Sequence, residues 1–119
     1  MTETIDGRKY PRYKDVTFLV SVSKDRTYFQ KVSIIDISAG GVKFYYSDHK
    51  IKVGDNLFVK IHIGSTYHNY NEIFKCTVVR KETRKDPEKI SNMVYSVEYI
   101  NIPSYEKDYF DHILTSLLQ

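Results

Sequence analysis

Short runs rich in β-branched and aromatic residues follow one another from residue 15 to residue 100, and no segment of helical period lies between any two of them. Parallel neighbours need a crossover of a dozen or more residues, usually a helix, so this order of elements restricts the chain to antiparallel pairing. The runs are 15–23 (DVTFLVSVS), 28–37 (YFQKVSIIDI), 42–46 (VKFYY), 57–63 (LFVKIHI), 73–82 (IFKCTVVRKE) and 93–100 (MVYSVEYI). Turn chemistry separates them. Lys24-Asp25-Arg26 predicts a hairpin joining the first two, Asp36-Ile37-Ser38-Ala39-Gly40-Gly41 predicts a tight strand-turn-strand connection, and Val53-Gly54-Asp55 marks a further turn. In 57–63 the alternation puts Leu57, Val59, Ile61 and Ile63 on one face and Phe58, Lys60 and His62 on the other. Polar loops are expected over 64–71 and over 84–92, which contains Asp86-Pro87.

The period changes after Pro103. Phe110, Ile113, Leu114, Leu117 and Leu118 fall at helical spacing, and Ser104 is a suitable N-cap, which predicts one amphipathic helix over 104–118. Residues 1–14 are polar and basic with no sustained pattern, and read as a flexible arm before a domain covering 15–119. At 119 residues the chain has room for one core. Six short strands and a terminal helix make the expected fold mostly β, a small antiparallel barrel or sandwich with the helix on the sheet or over a barrel opening.

Several function classes are disfavoured. The single cysteine, Cys76, allows neither an intramolecular disulfide framework nor a zinc site built on several thiolates, and fits a reducing compartment. Neither a signal-peptide core in MTETIDGRKYPRYKD nor a run of about twenty apolar residues is found, so the expected localisation is cytoplasmic. A thiol–imidazole pair would need Cys76 beside His49, His62, His68 or His112, yet Cys76 lies inside a strand and reads as a buried structural residue. His62 and His68 flank a loop without HExxH or paired cysteines, and Glu82, Asp86 and Glu88 are interleaved with Lys81, Arg84, Lys85 and Lys89 as in a solvated ionic loop. The expectation is a protein that is not an enzyme and holds no metal or cofactor.

The formal charge of +3 is mild, and thirteen of the eighteen cations are lysines spread through the chain. Two of the five arginines stand together in Arg8-Lys9-Tyr10-Pro11-Arg12, and twenty-four positions after Arg12 comes Asp36-x-Ser38-x-x-Gly41. This pair of motifs, in this order and with room between them for two strands, resembles the PilZ domain, a bacterial receptor module for cyclic di-GMP with the signature RxxxR followed by [DN]xSxxG. RxxxR alone carries little weight, since Arg80-Lys81-Glu82-Thr83-Arg84 matches it too; no DxSxxG follows that copy, which reads as a solvated strand end.

The resemblance implies a six-stranded antiparallel β-barrel with a C-terminal helix, and a single-domain receptor that relays second-messenger signals to an effector protein in motility, exopolysaccharide or biofilm control. It implies Arg8, Arg12, Asp36, Ser38 and Gly41 as ligand contacts or their immediate support, with Gly40 a weaker candidate. The side-chain chemistry suits such a ligand. Guanidinium groups stack on bases and donate in parallel to phosphate or to guanine O6 and N7. A carboxylate at Asp36 accepts from guanine N1–H and N2–H₂, Ser38 adds a hydroxyl, and Gly41 permits positive φ or close ligand approach. The chain departs from the family in having Gly7, where many members carry a further basic residue that bears on how many ligands bind, and in reading Val97-Glu98-Tyr99 where the last strand usually has a glycine before its aromatic residue.

Three other readings use the same residues. Asp36 and Ser38 can cap a turn while Arg8 and Arg12 stay solvated. A PilZ-like adaptor can act through protein contacts without nucleotide. A basic barrel of the OB type can stack single-stranded nucleic acid on Tyr45, Tyr46, Tyr67 and Tyr70, although the evenly mixed charge argues against a nucleic-acid partner and those rings suit a barrel wall.

Overall fold

The computed structural model describes residues 10–64, 69–84 and 93–118. Its elements are β1 (Leu19–Ser23), β2 (Gln30–Lys31), β3 (Ser33–Ile37), β4 (Gly41–Tyr45), β5 (Asn56–Gly64), β6 (Asn69–Thr83), β7 (Met93–Tyr99) and α1 (Ser104–Leu118). They form one antiparallel sheet in the order β2-β1-β5-β6-β7-β4-β3. The fold is mostly β with one C-terminal helix, as expected, but with seven strands instead of six. The extra strand arises because the run 28–37 breaks at Val32, whose N–H donates to Val20 O at 3.1 Å. On one side β2 pairs with β1, at Ser21↔Lys31 and Val22↔Gln30; on the other β3 pairs with β4. The two edge strands of the sheet are thus joined by one residue, and the sheet curls around a single core.

Other boundaries differ for local reasons. The first strand begins at Leu19 instead of residue 15, since Asp15 adopts a φ of 56° that interrupts extended backbone. The hairpin between the first two runs shrinks to two residue pairs, and its turn is held by the Asp25 carboxylate, which accepts from the N–H groups of Thr27 and Tyr28 at 2.9 and 3.3 Å. β6 starts at Asn69, because Ile63 pairs with Tyr70 and the buried ring of Tyr70 continues the inward alternation. In α1, Pro103 O accepts from Glu106 and Lys107, so the helical hydrogen bonds begin one residue before the expected Ser104 cap.

The expected inward set of β5, Leu57, Val59, Ile61 and Ile63, is buried, as are Val20, Val22, Ile37, Val42, Phe44, Val78, Tyr95 and Val97. The helix closes this core with Phe110, Ile113 and Leu114. The Phe110 ring lies 5.1 Å from Tyr70 with planes 5° apart, 5.6 Å from Phe74 and 6.2 Å from Tyr99, and Phe74 stacks on Tyr99 at 4.6 Å. Such ring pairs add about 0.5–1.5 kcal/mol each beyond the area they bury.

The described part of the 1–14 segment is docked on this assembly. Tyr13 is buried, exchanges backbone hydrogen bonds with Ile37 at 2.8 and 2.9 Å, and shares a 2.8 Å hydroxyl contact with Thr115 of α1. Tyr10 donates to Asp108 of α1 at 2.7 Å. No helix among the described residues is long and apolar enough to cross a membrane.

Phe110→Ala is expected to lower unfolding free energy by about 3–5 kcal/mol in urea denaturation, because the ring leaves a cavity bounded by three others. Tyr99→Phe tests the same contact with the opposite sign. The buried Tyr99 hydroxyl has no hydrogen-bond partner among the described residues, so removing it is expected to raise stability by about 1 kcal/mol.

Candidate functional site

Two register shifts turn charged side chains away from the core. In β3 the pairing with β4 shifts between Ile34 and Asp36, so Ile34 opposes Phe44 while Asp36 opposes Lys43. In β6 the pairing with β7 shifts between Val78 and Arg80, so Val78 opposes Val97 while Arg80 opposes Ser96. Each bulge leaves one extra residue, Ile35 or Val79, and lets residues two apart face opposite sides of the sheet. Because Lys43 also pairs with Ser96, a row crosses the outer face as Asp36, Lys43, Ser96 and Arg80.

A cleft of about 230 Å³ opens over this face. Its walls include Tyr10, Arg12, Asp36, Ser38, Gly40, Gly41, Lys43, Val79, Ser96 and Glu98. Arg12 reaches Asp36 across the mouth, Nη1 to Oδ1 at 3.4 Å, with Arg12 42% and Asp36 13% exposed. A pair this long and this wet contributes about 0–1 kcal/mol, so the guanidinium is held in position and is easily drawn to another partner.

The turn after β3 forms the next wall. Ser38 N–H donates to Gly41 O at 2.9 Å, the Ser38 hydroxyl accepts from Gly40 N–H at 3.1 Å, and Gly40 O accepts from Tyr99 N–H at 3.1 Å. Ser38 thus caps the turn through its side chain, whereas Asp36 faces Arg12. At Gly41 the sequence suggests positive φ or ligand approach, but the constraint is strand contact. A Cβ there would sit 2.1 Å from Val97 O, so only glycine lets β4 lie this close to β7. At Gly40 a Cβ would meet only the Ser38 hydroxyl, at 3.7 Å.

Arg12, Asp36, Ser38, Gly40 and Gly41 therefore share one cleft, and Arg8 lies outside the described residues. Sequence reasoning missed Tyr10, Lys43, Val79 and Ser96, and noted Glu98 only as a departure. Alternation in 42–46 does turn Lys43 away from Val42 and Phe44, but its place beside Asp36 follows from the β3–β4 register. The second RxxxR copy also lies on this face. Glu82 meets Lys43 at 3.1 Å and Arg84 at 3.5 Å, and the hydrogen bond from Lys43, with the charges of Lys43, Arg84 and Arg80, holds its carboxyl below the usual range. Lys81 instead turns toward the core side, donating to His49 O and Ile51 O at 2.7 Å.

Of the residues used by the competing readings, Tyr67 and His68 lie outside the described residues. Cys76 is fully buried, its thiol donates to Phe74 O at 3.4 Å, and burial pushes its pKa up to about 12. His62 contacts Asn71 on the outer face. No group of three or more His, Cys, Asp or Glu side chains able to hold a metal occurs among the described residues. Tyr46 and Tyr70 are buried wall residues.

The family model described as PilZ domain matches residues 6–116. Among solved structures, the inhibitor of motility MotI/DgrA of Bacillus subtilis superposes with a TM-score of 0.72 at 20% identity; the match covers 94% of this chain and 51% of that one, so the chain spans about half its length. The PilZ domain of YcgR from Escherichia coli, solved with c-di-GMP, superposes with a TM-score of 0.68 at 15% identity and covers 94% of this chain and 92% of that chain. At these identities the likeness is one of fold. No curated protein matches the sequence.

Two expected outcomes test the geometry. Gly41→Ala is expected to disrupt the β4–β7 contact and lower the unfolding free energy sharply, while Gly40→Ala leaves it within about 1 kcal/mol of the wild type, as measured by urea denaturation. Cys76 is expected to resist a thiol reagent at pH 8 in the folded protein and to react when urea unfolds it; rapid labelling of the native state would contradict its burial.

Proposed function

The chain belongs to the PilZ domain family, and from that premise we propose that it is a non-enzymatic cytoplasmic receptor for cyclic di-GMP that signals by contact with an effector protein. The observation that carries this reading is Arg12 poised 3.4 Å from Asp36 at the mouth of a cleft walled by the Ser38–Gly41 turn. A neighbour of the same fold, the YcgR PilZ domain, was solved with c-di-GMP.

The ligand presents two phosphate charges and two guanines, and the cleft offers a partner to each. Arg12, joined by Arg8 of the same motif, stacks on a base or donates to phosphate oxygens. Asp36, released from Arg12, accepts from guanine N1–H and N2–H₂, a donor pair that adenine lacks. Gly40 lets the ligand approach the backbone of the turn that Ser38 holds, and Gly41 supports that turn by letting β4 lie against β7. Because Asp36 trades one charge-assisted partner for another, the exchange costs little beyond ordering the side chains.

The output is a change of surface. The segment that carries Arg12 is fastened to α1 by Tyr10–Asp108 and Tyr13–Thr115. A ligand that draws Arg12 toward a base or phosphate therefore pulls on the helix as well, which biases the exposed face of α1 toward or away from a partner. MotI is an inhibitor of motility, and motility control, with biofilm and exopolysaccharide control beside it, is the proposed setting.

Titration calorimetry with cyclic di-GMP tests this reading. The wild type is expected to bind, and Arg12→Ala and Asp36→Ala are each expected to weaken binding by about 1.5–3 kcal/mol, roughly 10- to 150-fold. Lack of heat with the wild type at several hundred micromolar ligand would favour the nucleotide-free adaptor. Tight, steeply salt-dependent binding of single-stranded oligonucleotides would favour the OB-type reading instead.

A further inference from the structure

Lys43 projects from β4 between Asp36 of β3 and Ser96 of β7 and lines the cleft. Side chains directly opposite in an antiparallel pair start about 5 Å apart, so the lysine stem rises beside the carboxylate that Arg12 meets. Its side chain is 16% exposed, and its ammonium lies 3.1 Å from Glu82. A cation half-sunk in the floor of an anion-binding cleft has two possible tasks: to neutralise Glu82, or to meet the ligand.

The surroundings of Glu82 distinguish between them. Arg84 lies 3.5 Å from the same carboxylate oxygen, and Arg80 adds a further positive charge nearby. Glu82 thus has more cations than its single charge requires, and it is 36% exposed to water. Removing Lys43 from it would not strand a buried charge. The cleft itself is short of cations. Asp36 and Glu98 both line it, and against a ligand with two phosphates they leave Arg12 and Lys43 as the cationic side chains lining the cleft among the described residues. The planar guanidinium of Arg12 suits a guanine face or edge, whereas a lysine ammonium is a compact point charge suited to a phosphate oxygen.

We propose that Lys43 is a phosphate-binding residue of this cleft, which exchanges Glu82 for a phosphate oxygen of the bound nucleotide while Arg80 and Arg84 remain to neutralise Glu82. The inference rests on the receptor reading above. It also gives a task to the second RxxxR copy. Arg80 and Arg84 do not bind the ligand; they are the counter-charges that make Lys43 transferable.

The test is calorimetry with cyclic di-GMP at two salt concentrations on the wild type, Lys43→Met, Lys43→Arg and Glu82→Gln, with thermal melts to confirm folding. Lys43→Met is expected to weaken binding at least tenfold and to flatten its salt dependence. Lys43→Arg, which keeps the charge, is expected to stay within a few fold of the wild type. Glu82→Gln, which frees the ammonium in advance, is expected to bind as tightly as the wild type or several-fold tighter. Binding by Lys43→Met within twofold of a wild type that does bind would overturn this proposal and leave the receptor reading intact. Weakening by Glu82→Gln equal to that of Lys43→Met would also overturn it, because the carboxylate would then position the lysine instead of competing for it. A wild type that binds no ligand would remove the receptor reading, and this proposal with it.

Discussion

Phe110 closes the protein. A curled sheet of seven strands leaves one end of its interior open, and the helix that covers that end is seated by one ring against Tyr70, Phe74 and Tyr99. The seated helix in turn offers Asp108 and Thr115 to Tyr10 and Tyr13, and Tyr13 pairs its backbone with Ile37 at the end of β3. Arg12 lies between those two tyrosines, so its position opposite Asp36 depends on the helix. A chain of contacts therefore runs from the aromatic stack to the cleft, and damage to the stack is felt at the cleft although they lie on different faces of the sheet.

The bulges at Ile35 and Val79 supply the second condition. Strict alternation would put Ile34 and Asp36 on one face, and likewise Val78 and Arg80, forcing either a charge into the core or an aliphatic side chain into water. One extra residue on each strand lets Ile34 and Val78 oppose the inward Phe44 and Val97 while Asp36 and Arg80 turn outward. These irregularities are what gather charge on one patch of the outer face.

That patch is an ionic lattice with its partners already assigned: Arg12 to Asp36, Lys43 and Arg84 to Glu82. Each pair is at least partly wet and weakly bound, so each contact is readily exchanged for another. The cost of opening each contact is small, and opening them together frees carboxylates that accept hydrogen bonds and cations that donate them.

Much of this was legible in the chain alone. The inward set of β5, the span of α1 and the Ser38–Gly41 turn follow from alternation, helical period and turn chemistry, which act over a few residues. The split of 28–37 at Val32 was not legible, since it results from that run pairing with β1 on one side and β4 on the other. Gly41 was singled out for φ or ligand approach; its φ is not positive, and the constraint the structure adds is Val97 O, a contact between residues more than fifty positions apart.

The sequence by itself determined the antiparallel character of the sheet, the single closing helix and the charged and hydroxyl side chains available to the cleft, because these depend on local period and on side-chain chemistry. Only the tertiary structure decided that Lys43 stands beside Asp36, that Glu82 gathers three cations, and that the Arg12 segment is tied to α1. Those facts depend on strand register and on two bulges, and register is set by how distant segments fit around a common core.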